Sequence, residues 1–264
     1  MDTTARLIPM SIAALLEELE LDQPRLVTTD DVADLRRRTG GTASTDYLVA
    51  QLLKNGWLLP LTTRGVWEFA PAARAGAFSS GDRFIELRAT LRKRPTLPVA
   101  VAAESAAWLL GLAGRVPARD VISAPDGLVV PVAVRAFRLV RRPPRLDPIE
   151  RDGLPCWSIL SLLAIMADRP TTYRDWPNVS EWLADACADL SFEPLADELV
   201  DRPRSAWARL GYLVATGGRD DIADTLMTLA PAGKGPYFLG RRDRTGHHDR
   251  RFDVIDSALT QGSK

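Results

Sequence analysis

Residues 28–69 constrain this chain more than any other stretch, because their order of parts admits few folds. Thr28 or Thr29 opens a helix whose first turn holds Asp30 and Asp31, where the helix dipole favours acids. Val32 and Leu35 face inward, and Arg36, Arg37 and Arg38 crowd the last turn. Gly40-Gly41 supplies the permissive backbone of a tight turn. A second helix starts at Ser44 or Thr45, with Leu48, Val49, Leu52 and Leu53 as its buried stripe. Tyr47, Ala50, Gln51 and Lys54 share its opposite side, and Asn55-Gly56 ends it. Residues 57–59 and 66–69 then read as two short strands joined around Thr62, Thr63, Arg64 and Gly65.

Helix, turn, helix and hairpin in this order predict a winged helix-turn-helix, a module whose second helix enters the DNA major groove. The side chains suit that task. Thr42, Ser44 and Thr45 stand at a helix N-terminus, where hydroxyls and backbone N–H groups hold phosphate. Tyr47 and Gln51 are spaced to reach base edges, glutamine being suited to adenine, and Lys54 and Arg64 add salt-sensitive phosphate contacts. Between Leu35 and Trp67 the five basic residues Arg36, Arg37, Arg38, Lys54 and Arg64 face one acid, Asp46, a local net of +4. The alternative is the same fold used for protein contacts alone, with its arginines simply solvated.

Upstream, Ser11 is expected to cap a helix with Ile12, Leu15, Leu16 and Leu19 on one side, ended by Asp22, Gln23 and Pro24. At 264 residues the chain is long enough for two domains. The small, turn-rich run at 71–81 is the candidate linker, which sets residues 1–80 as one domain and 81–264 as another. Net charge is zero but unevenly placed. Residues 1–81 carry 8 basic and 10 acidic groups, net −2; residues 82–145 carry 12 and 5, net +7; residues 146–264 carry 14 and 19, net −5. A nucleic acid is attracted to a face and not to an average.

In the second part, Asp82 is expected to cap a helix with Phe84, Leu87 and Leu91 inward and Arg88, Arg92, Lys93 and Arg94 outward. A buried helix follows at 104–112, then strand-like runs at 121–123, 128–134, 137–140 and 154–157, with turns at Asp126-Gly127 and Asp152-Gly153. Arg135, Arg138, Arg141, Arg142 and Arg145 alternate loosely with apolar residues, predicting a sheet with one basic face, a second contact surface. Helices capped by Ser158 and Ser180 and three more to residue 229 come next, then strand-like segments at 237–240 and 252–255.

Catalytic signatures are missing. Gly233-Lys234-Gly235 lacks the glycine spacing and following hydroxyl of a phosphate-binding loop, and no nucleophile elbow or dinucleotide fingerprint occurs. His247, His248, Asp249, Arg250 and Arg251 are read as an exposed charged loop. Cys156 and Cys187 have no metal spacing and read as buried thiols. Arg209 and Tyr212 read as a packed anchor with the tyrosine hydroxyl bonded. The chain is therefore expected to need no metal or cofactor and to catalyse nothing. No apolar run suggests a membrane span and residues 1–10 lack a signal-sequence pattern, so the expected location is the cytoplasm.

The order of segments in the second half carries a resemblance. Ser105–Leu112 leads into the basic strand region; Asp152–Pro170, Asp175-Trp176, Glu181–Ala186 and Arg204–Gly218 follow, then Tyr237–Gly240 and Val254–Leu259. Behind a winged helix, this order resembles the AbiEi family of bacterial abortive-infection antitoxins, of type IV toxin–antitoxin pairs. The resemblance implies an α+β chain, an N-terminal winged helix-turn-helix followed by a larger mixed α/β C-terminal antitoxin domain. It implies a nucleotidyltransferase toxin as partner, opposed without need of a stable complex. It also implies binding of double-stranded DNA at inverted repeats in the chain's own promoter, and repression there. The positions matching a DNA contact are Ser44, Thr45, Tyr47, Gln51 and Lys54 with Arg64 in the wing. Two alternatives for the second domain are an atypical phosphotransferase acting on the toxin and an interaction module that sequesters it.

Overall fold

The computed structural model describes residues 8–74, 79–240 and 246–259. These are mixed α+β and divide into two compact units, Met1–Leu97 with Val129–Ala136, and Pro98–Leu128 with Phe137–Lys264.

In the first unit, α1 (Met10–Asp22) buries Ile12, Leu15, Leu16 and Leu19, the stripe expected from their spacing. Its cap is Pro9, not Ser11: the Pro9 carbonyl accepts the Ile12 N–H at 3.0 Å, and proline at a helix start forfeits no needed donor. A strand not foreseen from the sequence, β1 (Leu26–Thr28), precedes α2 (Thr29–Arg38), and α3 (Thr45–Lys54) follows the glycine turn. β2 (Leu58–Pro60) and β3 (Val66–Phe69) form the hairpin, and β3 sits centrally in an antiparallel sheet of order β1-β3-β2. Ile12, Leu16, Val32, Leu35, Leu48, Leu52, Trp57 and Phe69 fill one core between helices and sheet. Leu52 is wholly buried, a gain of about 1.5–3 kcal/mol over exposure.

α4 (Ile85–Lys93) also belongs to this unit. Part of the expected linker, 75–78, lies outside the described residues, and the compact grouping extends beyond residue 80 because α4 packs on β3. Its cap is Phe84, not Asp82, and no side chain caps it; Asp82 instead accepts the Phe84 N–H at 2.9 Å and pairs with Arg88 at 2.7 Å. Arg88, expected outward, is therefore buried. The run at 128–134, expected as a strand, is a 3-10 turn at Val132–Val134 behind Pro131, and it packs on α4. Pro131 has no N–H for a ladder, which explains the missing strand.

The second unit is built on a five-stranded mixed sheet of β4 (Ala100–Val101), β5 (Val121–Ser123), β6 (Arg138–Val140), β7 (Ile149–Arg151) and β8 (Leu154–Cys156), in the order β6-β5-β4-β8-β7. β4–β8 and β5–β6 are parallel; β4–β5 and the β7–β8 hairpin are antiparallel. Asp152 and Gly153 both take positive φ (47° and 67°), the turn that a two-residue Asp-Gly hairpin demands. Trp157, fully buried, donates its indole N–H to Ser123 Oγ at 2.9 Å.

The helices are α5 (Ala103–Leu109), α6 (Ile159–Asp168), α7 (Val179–Ala188), α8 (Phe192–Leu199), α9 (Arg204–Thr216) and α10 (Asp220–Leu229). Ser158 caps α6 as expected, whereas Ser180 lies inside α7. α9 is the centre of packing, touching α6, α7 and α10. The unit closes with β9 (Tyr237–Leu239), β10 (His247–Asp249) and β11 (Val254–Asp256), in the order β10-β11-β9. His247–Asp249 is thus a strand, not a loop. Arg209 donates to the Ala167 carbonyl at 2.9 Å and the Tyr212 hydroxyl to Asp256 at 2.9 Å, the packed anchor expected of them.

A buried ionic knot joins α6 to α8. Arg202, 4% exposed, pairs with Asp168 at 2.7 Å and Glu198 at 3.3 Å. Glu198 also accepts the Ser161 hydroxyl at 2.6 Å and the Arg145 and Leu146 N–H groups at 3.0 and 3.1 Å. Among the described residues no helix is long and apolar enough to cross a membrane.

Candidate nucleic-acid interface

The frame of this surface is set by two helix caps. Thr28 and Asp31 form a reciprocal capping box at α2: Thr28 Oγ1 accepts the Asp31 N–H at 3.1 Å and Asp31 accepts the Thr28 N–H at 2.8 Å. Ser44 caps α3 by accepting the Tyr47 N–H at 3.2 Å. One lone pair of the Ser44 hydroxyl is therefore engaged within the helix, while Thr42 is exposed and Thr45 half-buried beside it. With Leu48, Val49 and Leu52 buried, the opposite side of α3 presents Tyr47 and Lys54 exposed and Gln51 half-buried, one stripe at helical spacing. Asp46 stands in the first turn, favourable to the helix dipole but repulsive to phosphate.

The arginines of α2 divide from this stripe. Arg36 folds under the glycine turn, its guanidinium 3.4 Å from the Ala43 carbonyl, and a Cβ at Gly41 would meet its Cγ at 3.2 Å. Arg37 pairs with Asp34 and Arg38 with Glu18, the latter at 3.6 Å. Both also line a cleft of ≈ 600 Å³ shared with Asp31 and Asp34, whose carboxylates offset their charge. Lys54 and Arg64, by contrast, have no ion-pair partner among the described residues.

Arg64 is exposed on the hairpin between β2 and β3, and that hairpin is held from two sides. The Gly65 carbonyl accepts the Thr29 N–H at 3.3 Å. From α4, Glu86 accepts the Thr62 N–H at 2.8 Å, and Thr90 and Thr63 share a hydroxyl bond at 3.3 Å. Lys93 Nζ would lie 3.7 Å from a Cβ built on Gly65. The basic end of α4 thus stands beside the hairpin tip, a placement that Arg92-Lys93-Arg94 before Pro95 does not reveal in the sequence. At the base of the sheet Glu68, 2% exposed, pairs with Arg74 at 2.8 Å and accepts the Ser80 N–H. Burial pushes its carboxyl up, but the bonds from Ser80, Arg74 and Ser79 outweigh this and hold it below its ordinary value.

The expected basic face of the central region is not assembled as a surface. Arg138 pairs with Glu104 and donates to the Thr172 carbonyl at 2.8 Å. Arg141 donates to the Leu128 carbonyl at 2.7 Å, Arg142 lies 3.6 Å from Asp168, and Arg145 lies 3.2 Å from Asp201. Arg135 is exposed next to the 3-10 turn, in the other unit. Cys156 and Cys187 are fully buried, and burial pushes their thiols up to about 12 and about 11. Among the described residues no group of histidine, cysteine and carboxylate side chains has the geometry of a metal site.

Among solved structures, the RV2827C protein from Mycobacterium tuberculosis is similar to this chain, at 27% identity with a TM-score of 0.79. The match covers 97% of this chain and 94% of that one. No curated protein matches. Residues 99–216, from the strand β4 through the helix α9, match the model of the AbiEi antitoxin C-terminal domain. The likeness to the AbiEi antitoxins thus rests on that C-terminal domain, somewhat under half of the chain.

Proposed function

We propose that the chain is an antitoxin that doubles as the repressor of its own operon. On this reading residues 10–69 form a winged helix-turn-helix that recognises inverted repeats in the promoter, and the antitoxin domain opposes a nucleotidyltransferase toxin. The observation that carries the DNA reading is the outward stripe of exposed Tyr47 and Lys54 with half-buried Gln51 on α3, together with a braced hairpin bearing Arg64. A helix with a buried apolar side and a polar, basic outer side is the shape that enters a major groove, and a hairpin with a free arginine suits the flanking phosphates. Arg37 and Arg38, tied to Asp34 and Glu18, contribute field more than contact. The antitoxin acts in the cytoplasm and without catalysis of its own.

Fluorescence anisotropy with the chain's own upstream duplex tests the DNA reading. The expected result is preference for a repeat over a scrambled duplex, with Gln51→Ala relaxing that preference and Lys54→Ala weakening all duplexes alike. Equal binding to both duplexes, unchanged in the double variant, overturns it. Co-expression with the toxin of the adjacent gene tests the antitoxin half: growth should be restored by the full chain and also by the Gln51→Ala, Lys54→Ala variant.

A further inference from the structure

The second unit contains a cleft of ≈ 350 Å³ between the loop after α5 and the segment that leads into α7. Val116 (44% exposed) and Pro117 supply apolar lining. Four arginines, Arg115, Arg119, Arg138 and Arg174, line it with two carboxylates, Glu104 and Asp175.

The carboxylates do not neutralise this gathering. Glu104, 8% exposed, is committed to the Arg138 guanidinium on one oxygen and to the Arg174 backbone N–H on the other. Asp175 accepts the Asn178 side-chain amide at 2.8 Å, which fixes it at the start of α7. Arg119 donates to the Phe137 carbonyl at 3.3 Å. The guanidinium groups of Arg115 and Arg174 have no hydrogen-bond or ion-pair partner among the described residues. Burial pushes the Arg138 guanidinium below its ordinary value against the pull of Glu104, and Arg174 and Arg119 add like-charge repulsion in the same direction. Cations held together in a concavity are stabilised by an anion with several acceptor oxygens, and guanidinium forks match phosphate oxygens.

We infer that this cleft binds a nucleotide-sized organic phosphate, its phosphoryl oxygens on Arg115, Arg174 and Arg138 and its apolar part against Val116 and Pro117. The volume lies at the lower end of small-ligand sites, which typically pair an apolar lining with a few convergent polar groups. Glu104 acts here as a positioning residue: it holds the Arg138 guanidinium and the backbone of Arg174. The site is separate from the α3 stripe and stands whether or not the chain binds DNA.

Isothermal titration of the full chain with three probes tests this. ADP should bind, pyrophosphate more weakly because it lacks the apolar half, and adenosine without measurable heat. The Arg115→Ala, Arg174→Ala double variant should lose about tenfold or more in ADP affinity, as expected for the loss of charge-assisted contacts. Both side chains are exposed and Arg174→Ala keeps the N–H that Glu104 accepts, so the fold should be retained; an unchanged circular-dichroism melt checks that. Absence of saturable heat with both ADP and pyrophosphate overturns the inference, as does ADP affinity unchanged in the double variant. Displacement of ADP by random duplex DNA at equal phosphate concentration overturns it too, since the site would then belong to a nucleic-acid backbone.

Discussion

Arg202→Met should unfold the second unit far more readily than its single side chain suggests. Among the described residues Arg202 is the one cation in direct reach of both Asp168 and Glu198, at 2.7 and 3.3 Å, and the three side chains are 4%, 4% and 0% exposed. Methionine fills much of the same volume but leaves two carboxylates without their counter-charge. Breaking a buried pair from one side costs about 3–5 kcal/mol. Arg142, 3.6 Å from Asp168 and 43% exposed, still offsets part of one charge, which places the expected loss near the lower end. With a urea slope of about 2 kcal/mol/M, a loss of about 3 kcal/mol lowers the midpoint by about 1.5 M. Tryptophan fluorescence reads this unit, because Trp108, Trp157, Trp176, Trp182 and Trp207 all lie in it. Adding Glu198→Gln and Asp168→Asn to Arg202→Met should recover part of the loss by removing both charges: the new carboxamide oxygen still accepts the Ser161 and Leu146 donors that one Glu198 oxygen accepts, while the Arg145 N–H held by the other oxygen loses its acceptor. A midpoint shift below about 0.5 M, or a triple variant no more stable than the single one, refutes the reasoning that uncompensated charge, and not lost packing, sets the cost.

Thr28→Ala removes the acceptor of a capping box and should cost about 1 kcal/mol, seen as faster amide exchange in the first turns of α2. Glu68 has a folded-state value lowered from 4.5, so its contribution is full above that value and is lost as pH falls through the lower folded one. Urea midpoints of the first unit should therefore fall on acidification, and Glu68→Gln should flatten that slope while lowering the neutral midpoint. Burial raises the thiols of Cys156 and Cys187 to about 12 and about 11, so at pH 8 both are protonated. A thiol-reactive dye should label neither until denaturant is added; rapid labelling of the native chain contradicts their burial.

What could be read from the sequence follows from the range of the forces involved. The caps Thr28, Ser44 and Ser158, the Asp152-Gly153 hairpin and the buried stripe of α3 depend on neighbours within a few residues, and all are legible. β1 and β4 are not, since three and two residues carry no period, and each exists only because a distant strand supplies its hydrogen bonds. The arginines between 135 and 145 misled for a related reason. Their alternation predicts a basic face, but Glu104, Asp168 and Asp201, tens of residues away, decide where Arg138, Arg142 and Arg145 point. Arg202 carries no signal in the sequence, because burial, not residue type, makes it consequential. The outward stripe of Tyr47, Gln51 and Lys54 is legible from helical spacing, whereas the bracing of the hairpin by Glu86 and Thr90 is not.

The return of Val129–Ala136 to the first unit has an evolutionary consequence. The polypeptide passes from one unit to the other at 97/98, goes back at 128/129, and leaves again at 136/137. A gene fusion or recombination event that joined the two units at one junction would strand the turn that packs on α4. The two halves of this chain are therefore heritable only as a pair, and a new property of either is more readily acquired by substitutions within it than by exchange of a whole unit.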